Sequence, residues 1–557
     1  MAESHNHKAG TADEVNQTYI EHGAEKSSLA SDHMGATDIL RQAHEATEIE
    51  HSLTFLENIR LYPKSIAWSV LMSTAIIMEG YDVVLMGSFY AYPSFNKKYG
   101  TLQPDGKYQL SAAWQSGLSN GINIGAIFGL ALNGIVSERY GYRKTMMMAL
   151  LFTIAFIFLL FFAENVQSLL VGEILLGIPL GVFQTLTVAY ASEICPVGLR
   201  AYLTTYVNLC WVIGQILASA VLRALVDRTD EWAYRIPFAL QWVWPIPIFV
   251  GVVLAPESPW WLVRQGKHRE AEASLSRLTS RNSDKGPPID PQKTVAMMIH
   301  TNEMEKRISS GTSYWDCFRG IDLRRTEIAC LVWAIQNLCG GGIMGYSTYF
   351  YEQAGLDPKN AFNMSIAQYG LGIVGTVSSW VFMGYFGRRT LYIAGLITLD
   401  ICLFIVGFIA LGPSKPVTQW ATGSMLLVYT FFYDVTVGPV CYSLVSEISS
   451  TRLRAKTVVL ARGLYCLFSI VNGVLIPHML NPSAWNWKGK AGFFWGSICS
   501  CCIVWCYFRL PEPKGRSYGE LDLLFMNKIS ARKFKSTTVN LTREEVCDAD
   551  GHKRARD

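Results

Sequence analysis

Charge is what this sequence has little of: 17% of its 557 residues are Asp, Glu, Lys or Arg, while 50% are apolar. Soluble domains carry roughly a quarter of their residues as charges, so an ordinary string of soluble domains is excluded. Net charge is only +4 and no basic stripe stands out, which leaves no nucleic-acid partner to expect. A G-x-x-x-x-G-K-S/T phosphate loop is missing, and that argues against a primary pump. No stretch reads as a soluble catalytic domain, so no enzyme, catalytic residue, metal set or cofactor is expected. The cysteines, 13 in all, are an odd number, and Cys499-x-x-Cys502 has no second pair beside it. Lying mostly in apolar runs, they read as small buried residues rather than metal ligands or disulfides. A cleavable leader is also lacking: Met1 to Glu50 is polar and acidic and reads as a disordered tail.

What is present is a succession of apolar runs. The first extends from about Ser65 to Tyr90. Others centre near Gly125, Ala155, Leu180, Val212, Phe249, Val332, Gly372, Phe404, Val428, Phe468 and Ile503. Each is near the ~20 residues that cross a bilayer, giving about twelve helical spans. The expected fold class is an all-α polytopic membrane protein. Basic residues recur in alternate loops: Arg60 and Lys64, then Arg139, Arg143 and Lys144, then Arg200. Their counterparts later in the chain are Arg388 and Arg389, then Arg452, Arg454 and Lys456. The positive-inside rule makes those loops, and both tails, cytoplasmic. The expected organisation is a tail over 1–60, a six-helix bundle over 61–255 and a charged linker with short helices over 256–324. A second six-helix bundle follows over 325–510, then a tail over 511–557.

An internal repeat supports that division. Glu193-Ile-Cys-Pro-Val-Gly-Leu-Arg200 recurs as Glu447-Ile-Ser-Ser-Thr-Arg-Leu-Arg454, and Gly141-Tyr-Arg-Lys144 is echoed by Gly387-Arg-Arg-Thr390. Parallel repeats with a midplane site between them are the build of major-facilitator transporters. Each repeated glutamate can pair with an arginine of a neighbouring inner loop. Arg139, Arg143, Glu193, Arg200, Arg388, Glu447 and Arg454 are therefore candidates for a cytoplasmic latch that breaks when the inside opens. The plainer reading is a set of positive-inside loops with capping charges.

Two carboxylates, Glu79 and Asp82, interrupt the first run in Ile76 to Gly87. A charge at the bilayer centre costs ~2.5–3.5 kcal/mol on insertion scales and is a functional hypothesis by default. Their i, i+3 spacing puts both on one helical face, directed at a partner or cavity rather than lipid. They form either a protonatable site on a transport path or a helix-packing pair. Glu173 lies at a depth similar to that of Asp82, about a third of the way in from the outer ends. Facing each other in a poorly solvated space, two such groups titrate as a unit. Arg462 is the only arginine well inside a span, and is the expected counter-charge of this cluster.

Further strings carry a resemblance. Pro256-Glu-Ser-Pro-Trp-Trp-Leu262 and Pro511-Glu-Pro-Lys-Gly-Arg516 resemble the strings that close the two halves of major-facilitator sugar porters. Asn133-Gly134 through Arg143 resembles their loop between the second and third spans. Glu79-Gly-Tyr-Asp82, Gly172-Glu-Ile174, Gly181-Val-Phe-Gln-Thr185, Gly345-Tyr-Ser-Thr-Tyr-Phe350 and Thr436-Val-Gly-Pro-Val-Cys-Tyr442 resemble the fungal maltose/α-glucoside branch. The resemblance covers about Arg60 to Leu524. It implies alternating-access, proton-coupled uptake of a sugar across the plasma membrane. A disaccharide such as maltose, another α-glucoside, cellobiose or lactose is the first candidate. Sugar, proton and lipid bilayer are the implied partners, and the chain is expected to act as a monomer.

By the same resemblance Asp82 carries the proton, and Gln215, Gln336 and Asn337 hydrogen-bond sugar hydroxyls. Gly438-Pro439 is the flexible point of the tenth span, and Tyr442 stands where tryptophan is usual, still able to stack on a sugar ring. Gln184 and Tyr346 add neutral hydrogen-bonding groups of the kind hydroxyls need. Asp434 is either a sugar acceptor or a helix-packing partner. The chain departs from the wider family with acidic Glu173 where many have arginine, and with Gly342, Ala126 and Gly463 where relatives carry polar groups. Those departures motivate an alternative: a sugar sensor of the same fold with little flux.

Overall fold

The structure, a computed structural model, describes residues 55–537 apart from 104–105, 280–289, 310–312, 414, 451–452, 515 and 517. Among them, 12 helices are long and apolar enough to cross a membrane. In chain order the first six are Pro63–Phe89, Ala112–Tyr140, Tyr142–Phe161, Val166–Ile194, Tyr206–Leu225 and Trp232–Leu254. The second six are Gly320–Gly345, Pro358–Tyr385, Arg388–Ile409, Pro416–Ile448, Lys456–Leu480 and Lys488–Arg509. Every apolar run read from the sequence lies inside one of them.

The chain separates into two compact units. Of the described residues, one takes 55–65, 193–199 and 256–308, and the other takes the rest. In the first unit Ser258 caps the short helix Pro259–Arg264, its Oγ accepting the Trp261 N–H at 3.2 Å with proline at the first helical position. The helix His268–Leu278 buries Ala271, Ser274, Leu275 and Leu278 and exposes Arg269, Glu270 and Arg277. That is the amphipathic pattern of a solvated surface helix. A further helix runs Pro291–Ser309. The Gly286-Pro287-Pro288 break expected between these two helices lies outside the described residues.

In the second unit the first span matters most. After a turn at Thr74–Ala75, every residue of Ile76–Phe89 except Val83 is buried. A helix buried all round is a core helix, so its two acids do not meet lipid. Gly80 lies backbone to backbone with the fifth span: a Cβ there would strike the Trp211 carbonyl, and one on Gly214 would strike that of Ile77. Small residues let helices approach this closely, and the contact falls between Glu79 and Asp82, holding both in place. The second and fourth spans meet in the same way through Gly125 and Gly177.

Two spans are broken. The seventh runs as Gly320–Gln336, then widens through Asn337–Gly341, where Gly340 has φ 89°. Only glycine takes that left-handed geometry without strain. The tenth breaks at Thr436 (φ −123°, ψ −80°), between Pro416–Val435 and Val437–Ile448. The sequence places the flexible point at Gly438-Pro439, and the break falls just ahead of it. The physical reason is that Pro439 has no N–H for the Val435 carbonyl one turn earlier. Two features show no pattern in the sequence. A hairpin pairs Thr101–Leu102 with Tyr108–Gln109 after the helix Pro93–Tyr99. In the stretch read as a C-terminal tail, the helix Tyr518–Met526 forms, and Arg516 ties it down by donating to the Thr537 carbonyl at 2.6 Å.

Candidate functional site

The buried acids resolve into two clusters rather than one. In the first, Asp82 (1% exposed) and Glu173 (0% exposed) sit against each other. Gln241, at the break of the sixth span, donates its Nε2 to Asp82 Oδ1 at 2.6 Å. Asp82 Oδ2 and both Glu173 oxygens have no hydrogen-bond partner among the described residues. Two carboxylates offer only acceptors, so neither satisfies the other unless one carries a proton. Tyr81, between the two first-span acids, turns away and donates to the Pro237 carbonyl at 2.9 Å.

The second cluster is a relay. Gln184 of the fourth span donates Nε2 to Glu79 Oε1 at 2.6 Å, and its Oε1 accepts from Arg462 Nη2 at 2.7 Å. Only this orientation of the amide satisfies an anion on one side and a cation on the other. The guanidinium lies over two rings that meet edge to face, 4.8 Å from the Trp333 centroid and 4.5 Å from that of Tyr465, where it gains cation–π attraction. Arg462 was expected to balance Asp82 with Glu173. It does not: it faces Glu79, through Gln184. The i, i+3 spacing fans the two acids toward different neighbours, and the arginine reaches only one of them. Gln184, expected at the sugar, is engaged at both ends of its amide by the charge relay.

The remaining candidates for sugar contact are placed as follows. Gln336 donates to the Gly438 carbonyl at 3.0 Å, so the seventh span braces the tenth beside its break. Asn337 donates to the Tyr465 carbonyl (3.1 Å) and to Ser469 Oγ (3.0 Å). Gln215 is buried on the fifth span. Tyr346 stacks on Tyr90, with ring centroids 6.1 Å apart. Tyr442 is 37% exposed and meets Trp333 edge to face at 4.9 Å, so its ring borders the Arg462 cradle. Asp434 is buried, and its carboxylate lies where a side chain on Gly372 would stand. Gln241, Trp333, Tyr465 and Asn472 were not singled out from the sequence. Asn472 donates to the Asn337 carbonyl at 3.1 Å and fills the space beside Gly342. A polar group inside an apolar run was the available signal for Gln241 and Asn472.

Five of the candidate latch residues also have contacts. Glu447 accepts from Arg388 Nε at 3.3 Å, as the repeat suggested, and Arg388 N donates to Glu512 at 2.8 Å. Within its own unit Glu193 accepts from Arg264 Nη2 at 2.9 Å and from Ser258 Oγ. Arg143 donates to the Val253 carbonyl, and Arg139 lies over the Tyr140 ring at 5.6 Å. The side chains of Arg200 and Arg454 lie outside the described residues. At the opposite end of the spans the two halves of the chain meet directly: Ser88 and Thr348 hydroxyls are 3.0 Å apart, Gln109 donates to Tyr349 at 2.9 Å, and Asn481 to the Leu110 carbonyl at 3.0 Å.

Residues 68–525 match the family described as sugar (and other) transporter. A maltose permease of Saccharomyces cerevisiae is 45% identical over 511 residues, 90% of this chain and 82% of the relative. A general alpha-glucoside permease of the same yeast is 42% identical over 535 residues, 95% of this chain and 84% of the relative. Among solved structures, the proton:xylose symporter XylE of the major facilitator superfamily superposes with a TM-score of 0.66 at 21% identity, over 83% of this chain and 99% of that one. The inward-open form of XylE from E. coli gives the same score. At that identity the likeness speaks for the fold alone, the major-facilitator fold expected from the repeat.

Proposed function

The chain belongs to the sugar (and other) transporter family, and from that membership and the geometry of its buried acids we propose that it takes up an α-linked disaccharide together with a proton. The observation that carries the reading is Asp82 against Glu173, two buried acids with three unsatisfied oxygens between them. A proton on either one supplies the missing donor and removes a buried charge. Its arrival and departure therefore change what this part of the bundle can do. Likeness to maltose and alpha-glucoside permeases supports an α-glucoside as the cargo. Both tails are placed in the cytoplasm and the protein in the plasma membrane, as a monomer of two six-helix halves joined by the 256–324 linker. Transport, not sensing alone, is the activity.

The test is uptake of radiolabelled maltose by proteoliposomes holding the full chain, with and without an inward proton gradient. Accumulation above the outside level, dependent on the gradient and blocked by excess unlabelled α-glucoside, is expected. Equilibration without accumulation removes the proton from the proposal, and absence of any flux favours the sensor.

A second expectation concerns the latch. Arg388–Glu447 is a partly exposed pair, so its intrinsic worth is small, about 0–1 kcal/mol. That scale suits a contact made and broken in every cycle. Glu447→Gln combined with Glu193→Gln should raise labelling of an introduced cytoplasmic-side cysteine by about two- to fivefold, at unchanged surface expression. Unaltered labelling in well-expressed protein counts against a gating role for these residues.

A further inference from the structure

At the ends of the seventh and twelfth spans, the C-terminal segment lines one side of an open cavity of about 670 Å³. Its walls carry Arg324, Arg509 and Lys528, with Phe508 and Phe525 supplying apolar surface. Arg509 is shared with Glu327, donating to it through both Nε and Nη2. Arg324 makes no hydrogen bond to an acid among the described residues, although Glu327 also attracts it. Its Nη1 donates to the Ile529 carbonyl at 3.0 Å, its face lies 5.3 Å from the Phe525 centroid, and its Nε has no hydrogen-bond partner among the described residues. Lys528 is exposed at the rim, in left-handed backbone conformation (φ 52°). Three cations against one acid leave net positive charge around a void. The first turn of the seventh span also opens there, through Gly320 and Ile321, and its N-cap Arg319 makes no side-chain cap. Uncapped helix N-termini favour anions. Guanidinium groups held near one another by a fold are a common way to bind phosphate.

We propose that this cavity holds the phosphate headgroup of an acidic phospholipid. The exposed aromatic rings beside it argue for a lipid rather than a soluble phosphate. The turn Tyr314–Phe318, one residue ahead of Gly320, exposes Tyr314 (49%), Trp315 (73%) and Phe318 (48%), and Phe508 is 55% exposed on the cavity wall. Aromatic rings exposed beside the ends of spans mark the membrane–water interface, where headgroups lie. The phosphate sits between Arg324 and Lys528, and the acyl chains run down the apolar surface beside Phe508. The site lies at the span ends and is separate from the acid clusters. It couples the folded C-terminal segment to the composition of the surrounding leaflet.

The full chain, purified in mild detergent, is mixed with phosphatidylserine or phosphatidylcholine and examined by native mass spectrometry. Wild type is expected to retain phosphatidylserine selectively. Lys528→Asn, which tolerates the left-handed backbone, should lower that retention about fivefold, the worth of one cation near a lipid surface. Adding Arg324→Gln should lower it further. Lys533→Asn, a charge loss on the same segment outside the cavity, should leave it unchanged. Equal losses for Lys533→Asn and Lys528→Asn overturn the site in favour of diffuse attraction. Displacement of the lipid by millimolar inorganic phosphate, or equal retention of the two lipids, also overturns it. Because Lys528 is exposed, its variant folds even if the Arg324 variant does not, and the test stands on it alone.

Discussion

Asp82→Asn is expected to abolish accumulation of sugar while leaving sugar-for-sugar exchange in place. The substitution keeps the size and polarity of the side chain, and its Oδ1 still accepts from Gln241, the 2.6 Å bond seen in the structure. Its new amide N–H₂ faces Glu173, whose two oxygens lack a partner, so the variant imitates the protonated state permanently. A gradient of one pH unit is worth about 1.4 kcal/mol per proton, a tenfold accumulation. In the variant that ratio should fall to about one, and the pH dependence of uptake should flatten. Exchange survives because it needs no return of the empty carrier. The check is sugar-driven proton influx in proteoliposomes, run beside Glu79→Gln. Normal proton-to-sugar stoichiometry in both variants would sink a coupling role for the first span.

Arg462→Leu should be the most damaging single change in the charge relay. It leaves Gln184 Oε1 without its donor and Glu79 buried with no cation near it. Removing one partner of a buried charge pair typically costs about 3–5 kcal/mol. Here the two charges act through an intervening amide, so the lower end of that range is the expectation. Thermal stability in detergent should drop and uptake should disappear. Adding Glu79→Gln removes the stranded charge and should restore most of the stability without restoring transport. Arg462→Lys should recover little, since a lysine cannot lay a planar cation over Trp333 and Tyr465. If Arg462→Leu and its Glu79→Gln double variant melt at the same temperature, the relay is not what holds this region together.

What the sequence could settle by itself was whatever depends on one helix at a time. Span length, the alternation of basic loops and the duplicated Glu-x₆-Arg strings follow from bilayer thickness and from repetition along the chain, so 12 spans and the fold were legible. The i, i+3 spacing of Glu79 and Asp82 was likewise enough to mark them as turned away from lipid, and both are buried. Partnership was not legible. Which polar group meets which acid depends on where spans cross, and close crossings such as Gly80 with Gly214 and Gly125 with Gly177 are made by backbone contact. In the folded bundle Gln184 comes to lie between Glu79 and Arg462, and Gln241 on Asp82, two glutamines from spans distant in sequence. The same limit hid Asn472, which occupies the room left by Gly342 on another helix. Along a span the sequence orders side chains by face and depth; across the bundle, only the packing of bare helix backbones chooses their neighbours.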